Sequence, residues 1–187
     1  MSKMQNQLRI INGDLQKSLI FKGIKLIAAP RKCLPVKIDA LVFEEDAFLI
    51  MSDKPEHIPP SKHPIRLMNE IANFKPEIPG SVVVKGKNPI RILAVVHDVN
   101  QEPTWKEKWI EKALCSVFKK CEVLKIKTLG LPMLGTKHGR LNHQRFSRLL
   151  ASSLQSCEFK NLNQIWLISP VPVNAAVISA LEKELSG

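Results

Sequence analysis

The sequence predicts a three-layer α/β/α sandwich built around a mixed, mostly parallel central sheet. Strand-like and helix-like segments alternate over the second half of the chain, which implies right-handed crossovers between parallel neighbours. The strand-like segments are continuous apolar runs, as expected for strands buried on both faces. The helix-like segments carry apolar residues at the i, i+3/i+4 spacing of one buried stripe. A length of 187 residues fits a single domain, residues 1–187.

The predicted elements cover most of the chain. The predicted strands are residues 8–11, a hairpin-like pair within 19–29 around Lys22-Gly23, and then 38–43, 81–84, 90–96, 126–131 and 165–169. The predicted helices are residues 65–74, 106–123, 142–156 and 173–185. Residues 53–64 are rich in proline, lysine and histidine, which favours a loop.

The chain is strongly basic, with 28 lysines and arginines against 17 acids and a net charge of +11 at pH 7. Residues 1–37 and 81–149 hold most of the excess, and together they would form a positive face that attracts phosphates. The same pattern is also typical of a merely solvated surface. No RNA-recognition motif, KH loop or zinc-finger spacing is present, so charge is the main argument for a nucleic-acid partner.

The four cysteines are far apart and include no C-x-x-C pair, which indicates reduced core residues of an intracellular, cytoplasmic protein. The histidines lack the spacing of metal ligands, so we expect no metal and no cofactor. No apolar run approaches the roughly 18 residues of a membrane span, and the polar first residues are not those of a signal peptide. We therefore expect no membrane association.

The strongest candidate site is the loop of residues 131–142, which follows a predicted strand and opens a predicted helix. Its glycines allow successive N–H groups to turn inward as an anion-binding nest, and Asn142 is placed to cap the helix behind it. The predicted phosphate-binding residues are Gly135, Thr136, Lys137, His138, Gly139, Arg140 and Leu141. The alternative is a tight turn with exposed cations.

The order Pro-x-Leu-Gly-Thr-x-x-Gly-x-Leu at 132–141 resembles the phosphate-binding loop of macro domains, the ADP-ribose-binding α/β/α modules. Residues 8–15 (LRIINGDL), 38–42 (IDALV) and 81–99 resemble further segments of the family in matching order, with an apparent insertion near 16–37. The resemblance implies a divergent macro domain that binds ADP-ribose or a related phosphorylated molecule. It also implies that Asp14 accepts a hydrogen bond from an adenine amino group.

The sequence departs from the family after the strand at 38–42. The family has an Asn-Ala-x-Asn segment and a glycine-rich loop there, whereas this chain has Phe43-Glu44-Glu45-Asp46 and no glycine between Gly23 and Gly80. Glu44, Glu45 and Asp46 could accept ribose hydroxyls, act as an acid/base pair or hold a cation, but they would repel a diphosphate. A solvated turn is the commoner structure of such a triplet. Because these family motifs are missing, the resemblance implies binding rather than ADP-ribosyl hydrolysis.

Two further interpretations remain open at this stage. The pattern is also similar to the N-terminal domain of leucine aminopeptidases, but the carboxylate–lysine metal constellation of a peptidase is absent. The chain could also be a nucleic-acid or protein interaction module that uses its basic surface on a degenerate macro scaffold.

His97, at the end of a buried strand, is expected to be a core residue, and Trp105 and Trp109 are expected to pack against the core.

Overall fold

The structure is a computed structural model that describes residues 17–51 and 75–186. The seven strands are β1 (Lys17–Phe21), β2 (Ile24–Ala29), β3 (Ala40–Asp46), β4 (Val82–Lys85), β5 (Ile90–His97), β6 (Thr128–Pro132) and β7 (Gln164–Ile168). The described residues form three α-helices: α1 (Glu107–Val123), α2 (His143–Ser156) and α3 (Asn174–Ser186). Short 3-10 helices lie at Arg31–Cys33 and Val171–Val173.

The seven strands form one sheet in the order β1-β2-β7-β6-β3-β5-β4. The five central strands are parallel to one another, and the edge strands β1 and β4 run antiparallel to β2 and β5. The predicted mixed, mostly parallel α/β class is therefore confirmed. The segment that resembles an insertion supplies β1 and β2, and β2 pairs directly with β7.

The described helices all contribute to one hydrophobic cluster on one face of the sheet. Alternate strand residues point into that cluster, including Leu26, Val42 and Leu129, and they meet the apolar stripes of α1, α2 and α3. The other face carries two smaller clusters, around Leu93 and around Trp166. The predicted strand 8–11, loop 53–64 and helix 65–74 lie outside the described residues.

Polar contacts hold α2 at both ends. Asn142 is its N-cap, as predicted, and the side-chain oxygen accepts the N–H of Gln144 at 2.7 Å. At the other end, Nζ of Lys22 donates to the carbonyls of Leu154, Gln155 and Cys157 at 2.7–3.3 Å. A cation among carbonyls at a helix C-terminus is favourable for the helix dipole as well as for hydrogen bonding. These contacts fix the position of the helix that begins at the predicted phosphate loop.

Strand β3 runs three residues further than predicted, and this corrects the expectation for the acidic triplet. Glu44, Glu45 and Asp46 belong to the strand, and Glu45 and Asp46 are 0% and 1% exposed, so the expected solvated turn is wrong. Their backbones pair with β5 up to His97, across a register shift between Glu45 and Asp46. The parallel pairing continues the strand past the apolar run that defined its predicted end.

All four cysteines are free, and none forms a disulfide. Cys121 and Cys157 are buried, whereas Cys33 and Cys115 are half-buried. Burial raises the pKa of the Cys121 thiol to about 12, and the neighbouring Glu122 adds to the rise. A thiol that stays protonated is a poor nucleophile, so Cys121 acts as a small core residue. Among the described helices, none has the length and apolarity that crossing a membrane requires.

Candidate functional site

A cleft of about 470 Å³ opens at the edge of the sheet where the parallel strands end. Ligands of open α/β sheets bind at this edge, outside the carboxyl ends of the strands. The cleft takes its walls from the ends of β3, β6 and β7, from the loop before α2 and from the segment after β2. Its lining residues are Arg31, Leu41, Val42, Phe43, Glu44, Met51, Pro132, Met133, Thr136, Lys137, His138, His143, Ile168 and Pro170.

The lining combines an apolar wall with a few charged groups. Leu41, Phe43 and Met133 provide apolar surface, while Arg31 and Lys137 bring two cations to the rim. Among the described lining residues the carboxylate of Glu44 is the single formal negative charge. A mostly apolar pocket with a few convergent polar groups is the usual form of a small-molecule site.

The loop between β6 and α2 is held by hydrogen bonds of its own. Gly135 has a φ of +77°, a conformation that side chains rarely adopt. The N–H and the hydroxyl of Thr136 both donate to the carbonyl of Met133, at 3.2 and 2.7 Å, and the N–H of Leu141 donates to the carbonyl of Gly135 at 2.9 Å. Within the described residues, the main-chain N–H groups of residues 137–140 have no hydrogen-bond partner. The N–H groups that remain available to a ligand are therefore those that follow Thr136, because those of Gly135 and Thr136 are already paired.

The second loop glycine is needed for space rather than for a left-handed backbone. A Cβ on Gly139 would lie 2.7 Å from the carbonyl oxygen of Gly135 and 2.8–2.9 Å from two ring atoms of Trp105. The left-handed residue near this end of the loop is Arg140, with a φ of +55°. Trp105 packs against the main hydrophobic cluster, as predicted, and it also supports the loop from below.

Glu44 connects the cleft to the loop. Its carboxylate accepts from two groups: the N–H of Gly135 reaches Oε2 at 3.0 Å, and Nε2 of His97 lies 2.6 Å from Oε1. When the Glu44 carboxyl is ionised it can only accept hydrogen bonds, and the shared proton is then on Nε2 of His97. Both side chains are nearly buried, at 9% and 4% exposure. The ring of His138 packs edge-on against His97, with centroids 6.2 Å apart.

Glu45 and Asp46 hold the turn after β3 and are not among the cleft-lining residues. Oε2 of Glu45 accepts the N–H of Met51 at 2.9 Å, and Oδ1 of Asp46 accepts the N–H of Phe48 at 2.6 Å. These hydrogen bonds stabilise the turn that follows β3. They also supply donors that replace the water lost by the two carboxylates on burial. Only Glu44 of the acidic triplet is therefore placed to contact a ligand in the cleft.

The structure brings together part of the predicted site. Thr136, Lys137 and His138 line the cleft, whereas Gly135, Gly139 and Leu141 are buried in the loop beneath it and Arg140 is exposed. Asp14 lies outside the described residues. In the two described ranges, no three His, Cys, Asp or Glu side chains are grouped as a metal ion would require.

Sequence reasoning missed several lining residues, chiefly Arg31, Phe43 and His143. Arg31 reaches the cleft because β2 pairs with β7, so the segment after β2 lies beside the end of β7. His143 is the first residue of α2, and its buried Nδ1 has no hydrogen-bond partner among the described residues. The excess of basic residues in 1–37 indicated cations in this part of the chain. That Arg31 lies at the cleft follows only from the strand order.

No family model and no curated protein matches the sequence. Solved structures do match. A mutant macrodomain of Oceanobacillus iheyensis, solved with ADP-ribose, has a TM-score of 0.62 and 14% identity over 91% of this chain and 97% of that chain. The Trypanosoma brucei macrodomain has a TM-score of 0.56 and 14% identity over 96% of this chain and 72% of that one. The macrodomain of Thermus aquaticus DarG has a TM-score of 0.54 and 15% identity over 78% and 98%.

These likenesses show that the chain has the macrodomain fold, which confirms the fold that the ordered motifs predicted. At such low identity they show the fold and not the ligand. The similarity to the N-terminal domain of leucine aminopeptidases stays a prediction.

Proposed function

We propose that this chain, which has the macrodomain fold, binds ADP-ribose or a related nucleotide-like phosphorylated molecule in the cleft. The observation that carries the proposal is the part of the loop that lines the cleft: the N–H groups of Lys137 and His138 have no hydrogen-bond partner within the described residues, and Arg31 and Lys137 line the same cleft. The proposal is one of binding, and it includes no catalytic step.

The electrostatics of the loop favour an anion. The loop leads into the N-terminus of α2, where the helix dipole adds partial positive charge. Lys137 and Arg31 border the same cleft, and the exposed Arg140 is within the loop. Backbone donors, a helix N-terminus and full cations together form the usual combination for a phosphate group.

The remainder of the cleft suits the uncharged parts of a nucleotide. Leu41, Phe43 and Met133 offer apolar surface against which a flat ring can pack. The cleft volume of about 470 Å³ lies within the ordinary range for small-molecule sites. Structures with this fold have been solved with ADP-ribose, in the Oceanobacillus iheyensis protein, and with ADP, in the Trypanosoma brucei protein.

Isothermal titration calorimetry with ADP-ribose tests the proposal. We expect one molecule bound per chain and an affinity at least about fivefold lower in Lys137→Ala, because a charge-assisted contact to phosphate is lost. Lys127→Ala is the matched control, since this exposed lysine lies just before β6, at the opposite edge of the sheet. No heat above background in the unmodified chain, or an equal loss in both variants, would contradict the proposal.

The alternative function, a nucleic-acid or protein interaction module, stays a prediction. Two arginines of α2 are already paired: Arg145 with Glu107 at 2.7–2.9 Å, and Arg148 with Glu184 at 3.3 Å. These pairs remove part of the basic surface that such a module would use. Repeating the titration with a single-stranded oligonucleotide at two salt concentrations separates the two functions, because counterion release makes nucleic-acid affinity fall steeply with salt.

A further inference from the structure

The anion-binding position at Gly135 is already occupied by the chain itself. The N–H of Gly135 was the first donor of the predicted phosphate nest, and it donates to Oε2 of Glu44 at 3.0 Å. We infer that Glu44 is a resident anion that determines specificity: it excludes a phosphoryl group from the Gly135 end of the cleft and admits neutral hydroxyl groups there. The inference concerns the site of the proposed function and rests on it for the identity of the ligand.

The position of Glu44 is fixed from three sides. The strand pairing of β3 with β5 places its backbone, Nε2 of His97 holds Oε1 at 2.6 Å, and Gly135 holds Oε2. His97 is itself buried and is flanked by the ring of His138. A carboxylate held by two donors in a nearly buried position is not free to swing away when a second anion arrives.

The hydrogen bonds that the Glu44 carboxylate can still accept determine which ligand groups it can bind. Each oxygen accepts one hydrogen bond from the protein and keeps further acceptor capacity, while the carboxylate has no proton to donate. A hydroxyl of a sugar can donate to such an oxygen, and two neighbouring hydroxyls can use both. A phosphoryl oxygen brings a like charge and no proton, so it is repelled.

The cleft is therefore divided between two kinds of group. Phosphate is favoured near the side chain of Lys137 and the open N–H groups of Lys137 and His138, and hydroxyls are favoured beside Glu44. Arg31, His138 and His143 are the other titratable side chains lining the cleft, and within the described residues none of them forms a hydrogen bond or ion pair with the Glu44 carboxylate. The ligand class that fits is a sugar phosphate or diphosphate ester whose sugar end carries free hydroxyls.

The test compares inorganic pyrophosphate with ADP-ribose in the variant Glu44→Gln. Glutamine keeps the shape and removes the negative charge: its amide oxygen can accept the Gly135 N–H, and its NH2 group can donate to Nε2 of His97 when the imidazole carries its proton on Nδ1. We expect the affinity for pyrophosphate to rise at least about tenfold, and the preference for ADP-ribose over pyrophosphate to fall by a similar factor. Glu158→Gln removes the same charge from an exposed position beyond the far end of α2 and should leave both affinities unchanged.

An unchanged pyrophosphate affinity in a folded Glu44→Gln chain, or an equal rise in Glu158→Gln, would overturn the inference. Should the unmodified chain fail to bind ADP-ribose, the proposed ligand is lost, while the gain in pyrophosphate binding still decides the role of Glu44.

Amide chemical shifts of the unmodified chain provide a readout that needs no variant. During titration with pyrophosphate the Gly135 amide should shift much less than the amides of Lys137 and His138, since it keeps its bond to Glu44. A shift of Gly135 as large as theirs would show that the resident anion is displaced, and the inference would be wrong.

Discussion

At the residue scale, the end of β3 shows how hydrogen-bond donors accompany acidic side chains that are buried or nearly buried. Glu44, Glu45 and Asp46 accept hydrogen bonds from main-chain N–H groups, and Glu44 adds one from an imidazole. Such donors stabilise the ionised form and replace the water that the carboxylate loses. The charge retained by Glu44 is what gives the cleft two chemically different ends.

Gly139 is the residue at which loop geometry is most sensitive to one added carbon. Gly139→Ala places a Cβ 2.7 Å from a backbone oxygen and under 3 Å from the Trp105 ring, and neither neighbour can rotate away. We expect a loss of about 1–3 kcal/mol in the free energy of unfolding, measured with urea, and weaker ADP-ribose binding as the loop shifts.

Gly130→Ala is the matched control for this prediction. Its Cβ would meet Leu41 Cδ2 at 2.5 Å and Ile38 Cδ1 at 3.0 Å, which are the ends of flexible side chains that can move. A cost for Gly139→Ala no greater than that for Gly130→Ala would show that the loop is not held by this close packing.

The partners of these residues explain why part of the site could not be predicted from the sequence. The loop glycines, Asn142 and Lys137 are recognisable because their roles depend on neighbours within a few positions. The burial of Glu44 depends on Gly135, 91 residues away, and on His97, 53 residues away. Without those donors an acidic triplet is solvated, which is why the local interpretation of residues 44–46 as a turn was wrong.

At the element scale, single polar side chains join the ends of helices to the sheet. Lys22, in the turn between β1 and β2, caps α2, and Glu122, near the end of α1, holds the loop before β7. The Glu122 carboxylate accepts the N–H groups of Lys160, Asn161 and Leu162 at 3.0–3.3 Å. These contacts lie at the end of the molecule opposite the cleft. They hold the C-terminus of α2 and the loop before β7, and the other ends of α2 and β7 reach the cleft.

The Glu122 contact predicts a pH-dependent part of the stability. Burial raises the pKa of the Glu122 carboxyl, but the hydrogen bonds from Leu162, Lys160 and Asn161 outweigh it, so the pKa lies below its ordinary value of 4.5. The folded chain thus binds fewer protons here than the unfolded chain. The stabilisation is complete above 4.5 and is lost as the pH falls through the lowered folded-state pKa.

Glu122→Gln should therefore lower the free energy of unfolding by about 1 kcal/mol near neutral pH, and by progressively less as the pH falls below 4.5. Urea unfolding near neutral pH and below pH 4.5 measures the difference. Glu158→Gln, an exposed change in the neighbouring loop, should have no such effect. A deficit of the same size at both pH values would show that the carboxylate charge is not what holds the loop.

Most elements could be predicted because their signals are local. Helices α1, α2 and α3 and strands β4 to β7 lie within a few residues of the segments defined by apolar periodicity. The pairing of β2 with β7 could not be predicted in this way, since it joins residues such as Leu26 and Ile165. That one pairing brings Arg31 to the cleft, so the missed residue and the missed pairing have the same cause.

At the scale of the whole molecule, the net charge of +11 opposes folding through self-repulsion. The described ion pairs, such as Arg145 with Glu107 and Arg148 with Glu184, are exposed and compensate little of it. A positive field around the entire chain also draws anions towards the cleft before any contact forms. Stability and ligand association should therefore respond to ionic strength in opposite directions.

Raising sodium chloride from about 20 mM to about 300 mM at neutral pH should increase the melting temperature by about 2–5 °C, because salt screens the repulsion between like charges. Near pH 9.7, where the net charge vanishes, the same addition should have little effect. Differential scanning calorimetry in both buffers measures the contrast. Lys137→Ala should retain the full salt response, since screening acts on all the charges, whereas chloride bound at the loop would lose its stabilising contact in this variant. A response that persists at pH 9.7, or that disappears with Lys137, would assign the stabilisation to a bound anion instead of to the charge of the whole chain.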